Sequence, residues 1–84
     1  MYDIYIEKAA ERDLKKFPSA DLERIIPHLR SLAEDARPPD TEKISDTERD
    51  WRIRVGTYRI IYELNEKEKV VSILRVRHRL EVYR

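Results

Sequence analysis

The chain opens on an alternation. Tyr2, Ile4 and Ile6 stand against Asp3, Tyr5 and Glu7, which predicts a strand with one apolar face. Ala10, Leu14 and Phe17 then recur at helical spacing, and Pro18 closes that helix. Ser19 is a good N-cap for a second helix, along which Leu22, Ile25, Ile26, Leu29, Leu32 and Ala33 form one apolar stripe. Pro27 falls inside the stripe and predicts a kink. Residues 36–50, ARPPDTEKISDTERD, break the periodicity and read as the one long loop, with room for a short extended piece around Ile44. Alternation returns in Trp51–Val55 and Tyr58–Leu64, separated by Gly56-Thr57, and again in Lys69–Arg77 after the turn NEKE. The tail HRLEVYR reads as a last short strand or turn. The order β-α-α-β-β-β predicts a single α+β domain over residues 1–84, with two N-terminal helices packed on one face of a small antiparallel sheet.

The hairpin at 51–62, WRIRVGTYRIIY, carries the most specific local information. A two-residue loop with Gly first suits a type II′ turn, and that sets the register. Val55 opposes Tyr58, Arg54 opposes Arg59, Ile53 opposes Ile60 and Trp51 opposes Tyr62. Trp51, Ile53, Val55, Tyr58, Ile60 and Tyr62 then share the face under the helices, while Arg52, Arg54, Arg59 and Ile61 share the other. Two arginines directly opposite each other weaken a hairpin, and no carboxylate lies beside them on these strands. A site for a polyanion explains them, since arginine binds phosphate bidentately and stays charged. The competing explanation pairs them with acidic residues of the 36–50 loop. On the third strand Val71, Ile73, Arg75 and Arg77 share one parity, and the register of the 65–68 turn leaves open which face they take.

Composition narrows the chemistry. With 84 residues, 40% hydrophobic and 42% charged, the core is modest. There is no Cys, and the two histidines, His28 and His78, are fifty positions apart, so neither thiol catalysis nor a short-spaced metal site is expected. No apolar run approaches the roughly 18 residues of a membrane span, and the acidic start MYDIYIEKAAERD does not read as a signal peptide. We therefore expect a cytoplasmic protein without cofactor, metal or membrane contact. The net charge of +1 hides an asymmetry: residues 1–50 carry nine Lys/Arg against thirteen Asp/Glu, and residues 51–84 carry nine Lys/Arg against four Glu. One anion-seeking surface in the C-terminal half follows.

The order strand, helical hairpin, proline-containing loop, then W-R-I-R-V-G-x-Y-R-I-I-Y and an L-R-V-x-H-R-x-E-V-Y ending, resembles the RelE/ParE toxin superfamily of type II toxin–antitoxin systems. The resemblance covers the whole chain and is nearest to RelE-type mRNA interferases. It implies a toxin that enters the ribosomal A site, cuts mRNA there and is neutralised by a protein antitoxin. The implied catalytic set is Arg54, Arg59, Arg79 and Tyr83, with Arg52 binding RNA; Arg75 and Arg77, which share one strand parity, are read as further RNA-binding residues. The implied reaction is attack of a ribose 2′-hydroxyl on the adjacent phosphate. The chain departs from the pattern in two ways: Arg52 and Arg54 stand where lysine is frequent, and Arg77 stands where Gly is frequent. An arginine cannot act as the base, so that role falls to Tyr83, the ribosome or the RNA. His78 reads as a supporting residue and Glu81 as an arginine partner; Trp51, Tyr58 and Tyr62 read as core. The alternatives are a ParE-type inhibitor of DNA gyrase and a degenerate toxin that only binds its antitoxin.

Overall fold

The computed structural model describes residues 1–39, 41–43 and 50–78. Its elements are β1 (Asp3–Ile6), α1 (Lys8–Lys15), α2 (Ser19–Ser31), β2 (Thr41–Lys43), β3 (Asp50–Val55), β4 (Tyr58–Asn65) and β5 (Val70–His78). The expected α+β order holds, with one strand added where a loop was expected. Pro18, not Ser19, is the N-cap of α2, and its carbonyl accepts the N–H groups of Asp21 and Leu22. The helix continues through Pro27, which lies exposed on its outer side. Ile44 lies outside the described residues.

The five strands form one sheet in the order β1-β5-β4-β3-β2. β2 is antiparallel to β3, β3 to β4 and β4 to β5, but β1 runs parallel to β5. The sheet is therefore mixed rather than wholly antiparallel. The first strand returns to the far side of the last one only after the whole intervening chain, and a long connection of this kind permits parallel pairing.

The hairpin has the register its turn predicts, including Arg54 opposite Arg59 and Trp51 opposite Tyr62. Gly56 takes φ +60°, and among the described non-glycine residues only Lys69 has a positive φ, so Thr57 does not. That is the II′ pattern.

Ile53, Val55, Ile60, Tyr62, Leu64, Val71, Ile73 and Val76 on the strands meet Ala10, Ile25, Leu29 and Leu32 on the helical side. The apolar stripe of α2 thus covers the alternating face of the hairpin, which is the hydrophobic gain that holds the layers together. Tyr62 is fully buried in this layer, and its Oη donates to the carbonyl of Ala36 at 2.6 Å, with Thr41 Oγ1 at 3.4 Å. Burial holds the phenol above the usual value of 10.0, so it remains a donor. Tyr62→Phe leaves the Ala36 carbonyl without this partner. It is expected to cost about 1–2 kcal/mol, read as a melting temperature roughly 5–10 °C lower.

Candidate nucleic-acid interface

The face turned away from the helices is built by the strands in rows. Across β3, β4 and β5, Arg54 stands opposite Arg59 and Arg59 opposite Arg77. In the next row Ile61 separates Arg52 from Arg75. Side chains directly opposite in an antiparallel pair have Cβ atoms about 5 Å apart, so the first row places three guanidinium groups within reach of one another. Arg79 and Tyr83 lie outside the described residues.

Arg75 and Arg77 reach this face through an irregularity. The register passes from Ile61 opposite Arg75 to Tyr62 opposite Ile73, which leaves Leu74 as an extra residue on β5. Such a bulge reverses the alternation beyond it. Val71 and Ile73 point into the core, whereas Arg75 and Arg77, of the same sequence parity, point the other way. The bulge, not the 65–68 turn, decides which face the two arginines take.

The five arginines differ in their surroundings. Arg54 is exposed and lines an open cleft of about 480 Å³ with Pro39, Thr41, Glu42 and Gly56. Arg59, at the centre of its row, is only 5% exposed, and its Nη1 donates a long hydrogen bond (3.4 Å) to the carbonyl of Tyr58. Arg52 pairs with Glu42: Nη2 donates to Oε2 at 2.7 Å. Arg75 grips Asp13 of α1 with two bonds, Nε to Oδ2 at 2.8 Å and Nη2 to Oδ1 at 2.9 Å, and the Val76 N–H donates to the same Oδ2 at 2.9 Å. Arg77 is half-buried, and its charge helps to hold the Asp13 carboxyl in its ionised form.

Glu42 and Asp13 are the residues that sequence reasoning missed at this face. Glu42 lies in the loop that was weighed as a source of acidic partners, but its place opposite Arg52 depends on the three-residue strand β2. Asp13 meets Arg75 across 62 positions of sequence, with no local signal. His78 falls on the helix side as its parity predicts, edge-on to Tyr58 with ring centroids 5.4 Å apart. Trp51, Tyr58 and Tyr62 share that side, and Tyr58 Oη donates to Asp21 at 2.6 Å. These rings pack inward and do not present a stacking platform on the arginine face. Among the described residues, no group of three or more His, Asp or Glu side chains is placed to hold a metal, and no helix is long and apolar enough to cross a membrane.

A mixed five-stranded sheet, two helices on one face and a row of arginines on the other define a small α+β toxin fold. The chain matches the family model described as "ParE toxin of type II toxin-antitoxin system, parDE" over residues 4–83, and it belongs to that family, within the RelE/ParE superfamily. Toxin RelG of Mycobacterium tuberculosis is 30% identical over 87 residues, covering 99% of this chain and 97% of that protein. The structure is similar to the archaeal RelE–RelB complex of Pyrococcus horikoshii, with a TM-score of 0.83, 31% identity, and 93% and 94% of the two chains covered. It is also similar to the RelB–RelE complex of Methanococcus jannaschii, with a TM-score of 0.78, 29% identity, and 94% of each chain covered. The chain is a RelE-like toxin of a type II toxin–antitoxin system.

Proposed function

We propose that this toxin is a ribosome-dependent endoribonuclease that cuts mRNA in the A site and so inhibits translation in the cytoplasm. The observation that carries the reading is the row Arg54–Arg59–Arg77, three like charges set side by side across adjacent strands. Such a row opposes folding and is useful where a phosphate gathers negative charge. In the reaction the 2′-oxygen loses its proton to a base and bonds to phosphorus, the bond from phosphorus to the 5′-oxygen breaks, and the departing 5′-oxygen takes a proton from water, so that a 2′,3′-cyclic phosphate and a 5′-hydroxyl result. Arg54 and Arg59 stabilise the phosphorane, with Arg52, Arg75 and Arg77 holding neighbouring phosphates. Arg79 contacts the leaving group. Tyr83 stacks on the nucleotide and takes the 2′-proton, or a group of the ribosome or RNA does so, because the arginines cannot. Arg75 is the weakest member of this set, since Asp13 already occupies its fork.

The partner is a protein antitoxin. A basic face favours an acidic or amphipathic segment that covers the arginines and stabilises a small domain by mass action; the two archaeal relatives named above were solved with RelB bound.

Purified toxin added to a translation reaction is expected to leave codon-phased mRNA ends by primer extension, and an Arg59→Ala, Tyr83→Phe variant to leave none. Absence of phased ends with wild-type protein would sink the reading. The matched family model is described as ParE, and this favours gyrase inhibition as a second reading. Loss of supercoiling activity without mRNA cleavage would put it first.

A further inference from the structure

We infer that Glu42 is a built-in competing anion, standing on Arg52 in the place of a phosphate and so selecting for ligands that bring several charges. This rests on the reading of the arginine face as a phosphate-binding surface.

The argument begins from two arginines that share one row and are treated differently. Arg75 spends both prongs of its fork, Nε and Nη2, on the two oxygens of Asp13. That carboxylate is largely buried and also caps a backbone N–H, so the pair is saturated and structural. Arg52 gives Glu42 only Nη2, and its buried Nε has no hydrogen-bond partner among the described residues. A buried donor left unsatisfied is costly and uncommon. Glu42, moreover, belongs to a three-residue strand, and its side chain is about half exposed (54%). An exposed single-bond ion pair contributes little to stability. The pair is therefore built to be exchanged. A phosphodiester offers two non-bridging oxygens in the geometry of the guanidinium fork, and so supplies the acceptor that Nε lacks.

Glu42 also stands where it can interfere with more than Arg52. It lines the same cleft as Arg54. Its hydrogen bond with Arg52, then the charges of Arg52, Arg54 and Arg59, hold its carboxyl below the usual 4.5, so it is ionised wherever the toxin acts. A lone phosphate entering here meets a resident negative charge. A chain of phosphates engages Arg54, Arg59 and Arg77 together and outweighs it.

The test compares wild-type protein with Glu42→Gln, which keeps an acceptor for Arg52 and removes the charge. Two probes are used in calorimetry: tripolyphosphate and a dodecameric oligouridylate over a range of salt. The variant is expected to bind both about 5–10-fold more tightly, with an unchanged melting temperature. Its salt slope on the oligonucleotide is expected to be steeper by about 0.7, one further phosphate contact on a single strand. Adding Arg52→Gln should erase the gain, since the effect runs through that pair. Equal or weaker binding by the variant, or no binding by either protein, overturns the inference. So does loss of cleavage at unchanged affinity, which would make Glu42 a general base. Tighter binding by the variant without any mRNA cleavage keeps the inference and removes the ribonuclease reading instead.

Discussion

Arg59→Met is expected to raise the melting temperature of the toxin and to abolish the proposed cleavage of mRNA. Arg59 is 5% exposed and sits between Arg54 and Arg77, each directly opposite it on a neighbouring strand. Among the described residues, its guanidinium makes one hydrogen bond, a 3.4 Å contact to a carbonyl next door in sequence. The folded state therefore shelters a charge from water and sets it against two others, a combination that folding alone does not favour. Facing like charges in a sheet cost up to about 1 kcal/mol per pair. Methionine spans similar length without the charge. A gain of about 1 kcal/mol corresponds to a melting temperature about 4–8 °C higher in a domain of this size. Removing one preorganised donor to a developing oxyanion typically costs about 100- to 1,000-fold in rate. Thermal melting and primer extension on the same preparation read both effects. A less stable variant that still cuts would mean that Arg59 serves the fold and not the reaction.

Asp13→Ala is expected to be the most destabilising single change at this face. The carboxylate takes two hydrogen bonds from Arg75 and one from the Val76 N–H. It does so where β1 has stopped: the ladder between β1 and β5 ends at Ile73, and α1, carrying Asp13, covers the edge beyond. Truncation leaves an arginine and a buried amide without their acceptor, worth about 2–4 kcal/mol, a large share of the roughly 5–15 kcal/mol that holds a domain together. The melting temperature should fall by at least about 10 °C.

A pH profile separates charge from shape at the same position. Burial alone would raise the Asp13 carboxyl, but the bonds from Arg75 and Val76 and the charges of Arg75 and Arg77 outweigh it and hold it below the usual 3.8. A carboxylate depressed on folding stabilises the protein above 3.8 and loses that contribution as the pH falls through the lower folded value. Asp13→Asn should therefore flatten the acid limb of the stability curve, while wild type steepens below about pH 4. Identical acid limbs would show that the pair carries no such charge linkage.

The proposed displacement of Glu42 and the lock on Arg75 give the arginine face a division of labour. One arginine is held by the fold, one is lent to a weak internal partner, and a row of three, with Arg59 buried at its centre, lies between them and the hairpin tip. An antitoxin that covers this face would engage the charges proposed to bind RNA, so its grip should weaken with salt.

Much of this was legible in the chain. The two-residue turn at Gly56-Thr57 and the alternation on either side determined the hairpin register and the facing pair Arg54–Arg59, because turn type and pleat period are local properties. The apolar stripe of the second helix determined which hairpin face is core. The tertiary structure decided the rest. β1 pairs in parallel with β5, β2 forms in a polar stretch, and the bulge at Leu74 turns Arg75 and Arg77 outward. Each depends on a partner distant in sequence: a strand edge that needs covering, a carboxylate that reaches back from the first helix, a register that must satisfy the core on both sides of an extra residue. Local pattern placed the charges on strands. Long-range packing and hydrogen bonding chose which of them Asp13 holds, which Glu42 pairs with, and which stand together in one row.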